Sequence, residues 1–211
     1  MLKHAFWSGI ASGMLVGIGG TVYLSCQNKV VGAVLFSVAL LCICLLGLYL
    51  YTGKIGLFIE KPDKKSALAL PVGLGGNIMG AALTGVLTAI AKPSLIDAAQ
   101  SACSAKLEGG FIKGLIAAIF CGVLMYAAVK TYGAKGTLLG IIFCIPTFIL
   151  CGFEHSIADA YYFAVASMRG AFDPMRIVFI LVAVVGNTLG GWILPVLIGL
   201  GKGRVESNEA K

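Results

Sequence analysis

Apolar stretches of bilayer length recur along this chain, separated by short clusters of charge. Six of them run approximately from Ala5 to Leu24, Val30 to Leu50, Leu68 to Ile90, Phe111 to Val129, Thr137 to Phe153 and Ile177 to Leu200. A helix needs roughly 20 predominantly apolar residues to cross a membrane, so the pattern predicts an all-α membrane protein with six transmembrane helices. Little is left over for a soluble domain. Lys3 ahead of the first run resembles the start of a signal peptide, but the length of that run and the five spans behind it identify a first span instead. The charged loop Glu60-Lys61-Pro62-Asp63-Lys64-Lys65 joins the second and third spans, and a longer connection from Lys92 to Lys106 splits the chain near its middle.

The two halves repeat one another. Gly76-Asn77-Ile78-Met79-Gly80 in the third span returns 110 residues later as Gly186-Asn187-Thr188-Leu189-Gly190 in the sixth. The second and fifth spans also correspond, each running into a polar, glycine-bearing interruption: Thr52-Gly53-Lys54 in one, Gly152-Phe153-Glu154-His155-Ser156 in the other. The expected organisation is one transmembrane domain over residues 1–211. Its first repeat covers about 5–92, its second about 106–201, and 202–211 form a short cytoplasmic tail. A repeat of three spans is odd, so the second begins on the opposite side of the membrane and the halves have inverted topology. Polar breaks inside spans survive only within protein or against a wet cavity. Two breaks at matching places therefore mark a pathway.

Composition agrees with a lipid solvent: 59% of the residues are hydrophobic and 12% charged, against about 25% charged in soluble domains. The net charge of +7 reads as orientation rather than as a nucleic-acid surface. With the N-terminus inside, the inner segments hold nine basic residues, including Lys202, Arg204 and Lys211, and the outer ones hold five. That balance places both termini in the cytoplasm, in a cell (inner) membrane. Gly9, Gly13, Gly17 and Gly20 follow helical spacing and suit close helix packing. Cys42, Cys44, Cys121, Cys144 and Cys151 fall inside spans without metal-ligand spacing and read as small packing residues.

Glu154, His155 and Asp159 form an ionisable cluster between long apolar stretches, and such residues are costly in a membrane and commonly functional. If the helix restarts near His155, Asp159 lies one turn on, where the pair could share a proton. Glu154 suits a helix cap as well as a pathway. Thr52 offers a hydroxyl to the first break. Lys54 fits snorkelling to the interface better than facing a cavity. Lys106, just before the fourth span, could concentrate anions at a mouth. No metal or cofactor site is expected, because His4 and His155 are the only histidines and no P-loop, Gly-x-Ser-x-Gly or Cys-x-x-Cys motif occurs.

The run Gly152-Phe153-Glu154-His155-Ser156-Ile157-Ala158, both Gly-Asn-x-x-Gly motifs and Leu50-Tyr51-Thr52-Gly53 resemble the formate-nitrite transporter family over nearly the whole chain. The resemblance implies an aquaporin-like protomer in a homopentamer, each protomer with its own pore for a small monovalent anion or its conjugate acid. It implies a central histidine at His155, the loop of the broken second helix at Leu50, Tyr51 and Thr52, and a basic residue at the start of the fourth helix at Lys106. Apolar constrictions would involve Phe36, Leu40, Leu50, Tyr51 and Phe148. Asp159 and Gly122 depart from the asparagines of many members, so formate, nitrite and hydrosulfide all stay open as substrates. The expected function is an anion channel in the lipid bilayer, with proton coupling at the histidine. The alternatives are a neutral-solute pore, disfavoured because neither break carries Asn-Pro-Ala, and an intramembrane acid-base enzyme, which lacks an evident nucleophile beyond Ser156.

Overall fold

The computed structural model describes residues 1–170 and 173–209, with side chains up to residue 201. The side chains of Lys202 and Arg204, and Lys211 at the end of the expected tail, lie outside what is described. Among the described residues the chain is helical without strands: α1 (Leu2–Ser25), α2 (Lys29–Leu45), α3 (Tyr51–Glu60), α4 (Lys64–Ala91), α5 (Ile96–Glu108), α6 (Phe111–Lys135), α7 (Leu139–Leu150), α8 (Ser156–Ala166) and α9 (Met175–Glu209). Helices α1, α4, α6 and α9 (as far as Gly201) are long and apolar enough to cross a membrane, and α2 and α7 are shorter apolar helices. Side-chain caps start α2 and α4. Asn28 Oδ1 accepts from the Val30 and Val31 amides at 3.0 and 3.2 Å, and Asp63 Oδ1 accepts from Lys65 and Ser66 at 2.9 Å each, satisfying donors that a helix start leaves free.

The longer connection between the third and fourth spans is itself helical. Pro93 opens a 3-10 turn, where its missing amide costs no bond, and α5 follows with Ile96, Ala99 and Cys103 buried on the face that packs against α8. Its alanines and serines make it too polar to read as a span, yet small enough to lie flat on a neighbour. Lys106 therefore ends α5 rather than opening the next helix.

Two five-residue breaks, 46–50 between α2 and α3 and 151–155 between α7 and α8, carry glycines with positive φ at matching positions, Gly47 at 65° and Gly152 at 66°. The first break lies before the expected one: Thr52, Gly53 and Lys54 are already inside α3. Residues 46–50 read Leu-Gly-Leu-Tyr-Leu, so no polarity in the local sequence announces it. The polar group comes from elsewhere. Asn77 in α4 accepts from the Tyr51 amide and donates to the carbonyls of Gly9 and Tyr49, all at 2.8 Å. In the second half, Asn187 in α9 accepts from the Ser156 amide at 3.0 Å and donates to Ala118 at 2.9 Å and Glu154 at 2.8 Å. One buried amide thus ties each break to two helices, and the Gly-Asn-x-x-Gly repeat is the sequence trace of that bracket.

Glycines on α1 and α6 that face these motifs bring the helices to backbone contact. A Cβ on Gly13 of α1 would stand 2.8 Å from the Ala81 amide nitrogen of α4, and one on Gly122 of α6 would stand 2.8 Å from the Gly191 nitrogen of α9. Both are distances that real side chains do not adopt, so glycine is required there by the crossing. Gly122 is a packing residue for this reason, and Gly9, Gly17 and Gly20 likewise face α4 or the Tyr161 ring. The outer faces remain apolar, with Val30, Val34 and Val38 on α2 and Leu181, Val185 and Leu189 on α9 exposed. Contiguous exposed apolar surface of this extent suits lipid or another subunit, not water. All seven cysteines are free thiols.

Candidate functional site

His155 occupies the N-cap position of α8. Its Nδ1 accepts from the Ala158 amide at 3.2 Å, and its Nε2 lies 3.0 Å from Thr52 Oγ1 in the first turn of α3. An Nδ1 that accepts from an N–H carries no proton. The neutral ring therefore holds its proton on Nε2 and donates it to Thr52, which leaves the threonine hydroxyl proton free to donate in turn. Helix α3 and the start of α8 meet through this contact, and both side chains are buried. Protonating Nδ1 would set one N–H against another and undo the cap.

Aromatic rings cover the histidine. Phe148 stacks on it with centroids 5.7 Å apart and planes 20° apart, and Phe36 meets Phe148 edge-on at 6.3 Å. A cavity of about 160 Å³ is bounded by Phe36, Phe148, His155, Lys106, Asp159 and Tyr162 among others. A second cavity of about 190 Å³ is bounded by Leu40, Leu50, Gly53 and Lys54 among others. The two share no lining residue, although Phe36 and Leu40 are consecutive turns of α2. His155 borders the first cavity and Gly53, next to Thr52 in sequence, borders the second, so the Thr52–His155 contact joins elements that line both.

The ionisable residues are arranged differently from the sequence expectation. Asp159 bonds to His155 only through backbone, its amide donating to the histidine carbonyl at 2.8 Å. Its carboxylate Oδ1 instead lies 3.0 Å from Lys106 Nζ, and the same ammonium pairs with Glu154. Glu154 is not the cap: His155 takes that position, while the Glu154 carbonyl is held by Asn187. Lys106 keeps an 18% exposed side chain, against 1% for Asp159, and its ammonium sits 6.0 Å from the Tyr162 ring. This triad spans α5, the second break and α8, and nothing in the spacing of Lys106 from Glu154 and Asp159 announces it. Tyr51 lines neither cavity, because its hydroxyl pairs with Thr188 of α9 at 2.7 Å. Lys54, expected at the interface, borders the second cavity and a wider opening of about 350 Å³ that also touches His4 and Lys61. Among the described residues no group of His, Cys, Asp or Glu has the makings of a metal site.

Over residues 1–200 the sequence matches the family described as Formate/nitrite transporter. The chain belongs to the formate/nitrite transporter family. Relatives include the uncharacterized transporter YrhG of Bacillus subtilis, 31% identical over 81% of this chain and 70% of that protein. The nitrite transporter NirC of Salmonella typhimurium is 27% identical over 93% and 81% of the two chains. Among solved structures, a pentameric formate channel with formate bound superposes with a TM-score of 0.80 over 97% of each chain at 19% identity, which shows a shared fold. An ion channel of the same family superposes with a TM-score of 0.79 at 25% identity, over 95% of this chain and 89% of that one. Family membership and the apolar helices make this an integral membrane protein of the channel and transporter class. The relatives transport or conduct rather than catalyse, in line with the absence of an enzymatic constellation in the sequence.

Proposed function

We propose that the protein is a channel for small monovalent anions such as formate, nitrite or hydrosulfide, or for their conjugate acids, and that the path runs through a neck of Phe36, Leu40, Leu50 and Phe148 at Thr52 and His155. The observation that carries the proposal is the Thr52–His155 contact between α3 and α8. His155 borders one cavity with Phe36 and Phe148, and Gly53, next to Thr52, borders the other with Leu40 and Leu50. A bare anion loses its hydration in an apolar collar at large cost, whereas the conjugate acid pays far less, so weak acids suit this passage. The nitrite transporters among the relatives and the formate bound in the structural neighbour support the same substrate class.

In this reading α2–α3 and α7–α8 are each one broken span, giving six crossings in two inverted three-span repeats. The matching amide brackets of Asn77 and Asn187 support the repeat. Both termini lie in the cytoplasm of an inner membrane on the distribution of basic residues, and the exposed apolar faces meet lipid or a neighbouring subunit. The pentameric state of the structural neighbour supports a homopentamer. Phe36, Leu40, Leu50 and Phe148 exclude water and larger solutes, while Lys106, Glu154 and Asp159 set the charge of one approach. His155 works as a neutral donor with Thr52, because its Nδ1 is engaged in capping α8. Its replacement by asparagine, which also caps and donates, then leaves the pH profile of flux in place.

The test is flux in proteoliposomes, comparing formate, nitrite, hydrosulfide, acetate and lactate, with glycerol swelling as a control. Protein-dependent entry of the smaller anions without glycerol entry is the expected result. Glycerol entry without anion flux would replace the proposal with a neutral-solute pore.

A further inference from the structure

The opening of about 350 Å³ beside the second cavity is bordered by His4 of α1, Lys54 of α3 and Lys61 directly after α3, and by no acidic side chain. All three basic residues are exposed. Lys106, Lys130 and Arg169 each face a carboxylate, whereas His4, Lys54 and Lys61 take part in no ion pair among the described residues. The acids nearest in sequence are turned to other work: Glu60 meets Lys130 and the Tyr126 hydroxyl, and Asp63 caps α4. Gly47, Lys54 and Leu57 border both the opening and the second cavity. The opening is therefore the mouth of that cavity, at the end of the bundle where α1 begins.

Attraction between charges grows with their product. A monovalent anion is held weakly by exposed, salt-screened lysines. A phosphate group with two or more negative charges is held at least twice as strongly by the same ammonium groups, which bind phosphate as point charges. The volume falls within the range of about 300–1,000 Å³ typical of small-molecule sites. The way inward is closed to such an ion, because the second cavity is smaller and bounded by Leu40, Ile43, Leu48 and Leu50, where a multiply charged species would shed its hydration at prohibitive cost. It can dock at the mouth but not follow the substrate. We propose that the opening around His4, Lys54 and Lys61 binds multiply charged phosphate groups, dissolved or carried on a lipid, and that an occupied site closes the mouth of the second cavity. The binding stands on the opening alone; the closure rests on the channel reading above.

The test uses the full-length protein, first in detergent micelles with titrating calorimetry of inorganic pyrophosphate, chloride and formate at constant ionic strength. Pyrophosphate is expected to bind and the monovalent ions are not. Lys61→Gln should weaken pyrophosphate binding about ten-fold, the scale of one charge-assisted hydrogen bond. Lys92→Gln, which makes the same change of net charge at the far end of α4, should not. His4→Ala removes a second lining group and should weaken the same binding, so the proposal does not depend on one variant folding. In phosphatidylcholine proteoliposomes with pyrophosphate on both faces, formate flux should fall in the wild type and in Lys92→Gln, while Lys61→Gln conducts as the wild type does and escapes the block. Inhibition in vesicles containing phosphatidic acid, without pyrophosphate and again dependent on Lys61, assigns the phosphate to a lipid headgroup; inhibition by added pyrophosphate in the neutral vesicles assigns it to solution. Pyrophosphate binding that is absent, together with equal flux in both lipids, overturns the proposal, as does an effect of the same size in wild type, Lys61→Gln and Lys92→Gln. If the wild type passes no formate at all, the channel reading falls, and the calorimetry still decides the site.

Discussion

Replacing Asn77 by alanine tests the bracket on which the first break depends. The substitution removes three hydrogen bonds at 2.8 Å from a side chain that is fully buried. Gly9 lies inside α1, so its carbonyl loses least. The Tyr49 carbonyl and the Tyr51 amide belong to the break and to the first position of α3, where no helical partner replaces the amide. Two buried groups left unpaired, at about 1–3 kcal/mol each, give a loss of about 2–6 kcal/mol. Membrane reference states recover part of such losses, so the lower half of that range is expected. Asn187→Ala should cost a similar amount, because it frees the Ser156 amide and the Glu154 carbonyl in the same way. Asn77→Asp separates the roles: its carboxylate still accepts from Tyr51 but turns lone pairs toward two carbonyls, so its destabilisation deepens as pH rises and the group ionises. Denaturant unfolding in detergent micelles, with helicity and tertiary fluorescence followed together, measures all three. An Asn77→Ala protein within about 0.5 kcal/mol of wild type, a shift typical of surface substitutions, would refute the bracket.

Further expectations concern the crossings, a cap and the histidine. Gly122→Val drives a side chain into the α9 backbone, so it should lower the thermal midpoint markedly, whereas Gly133→Ala, which meets open space, should not. Asp63 caps α4, and its hydrogen bonds to Ser66 and Lys65 hold the carboxyl below the usual carboxylate range. Its contribution is therefore present above the unfolded-state pKa and disappears as pH falls through the lowered folded value. The protection of the Lys65 and Ser66 amides, measured relative to their intrinsic exchange rates, should fall in acid in the wild type and be low at all pH values in Asp63→Ala. His155→Leu, which neither caps nor donates, should abolish flux where His155→Asn keeps it; equal flux in the two would remove the histidine from the path.

Much of the architecture was written in local sequence, and the exceptions have physical causes. Bilayer-length apolar runs marked α1, α4, α6 and α9, because a lipid-facing helix is apolar around most of its surface. The second break was legible because Glu154 and His155 sit in it. The first was placed too late, since Leu46 to Leu50 look like uninterrupted span and their polar partner, Asn77, comes from α4. Helix α5 was hidden by its small, mixed residues. The Gly-Asn-x-x-Gly repeat was visible as a pattern, but its work in bracing the breaks needed the third dimension. So did the pairing of Asp159 with Lys106 instead of His155: i to i+4 spacing put the two α8 groups on adjoining turns, and a lysine from another helix decided the contact.

The claim that matters most is that small anions cross through the neck between the two cavities. Formate flux into proteoliposomes carrying wild type or Leu40→Trp, measured side by side, tests it directly, since Leu40 is 4% exposed and borders the second cavity one turn from Phe36. The expected result is protein-dependent formate entry with the wild type and its loss in a folded Leu40→Trp protein. Equal entry through both would contradict a path through this neck.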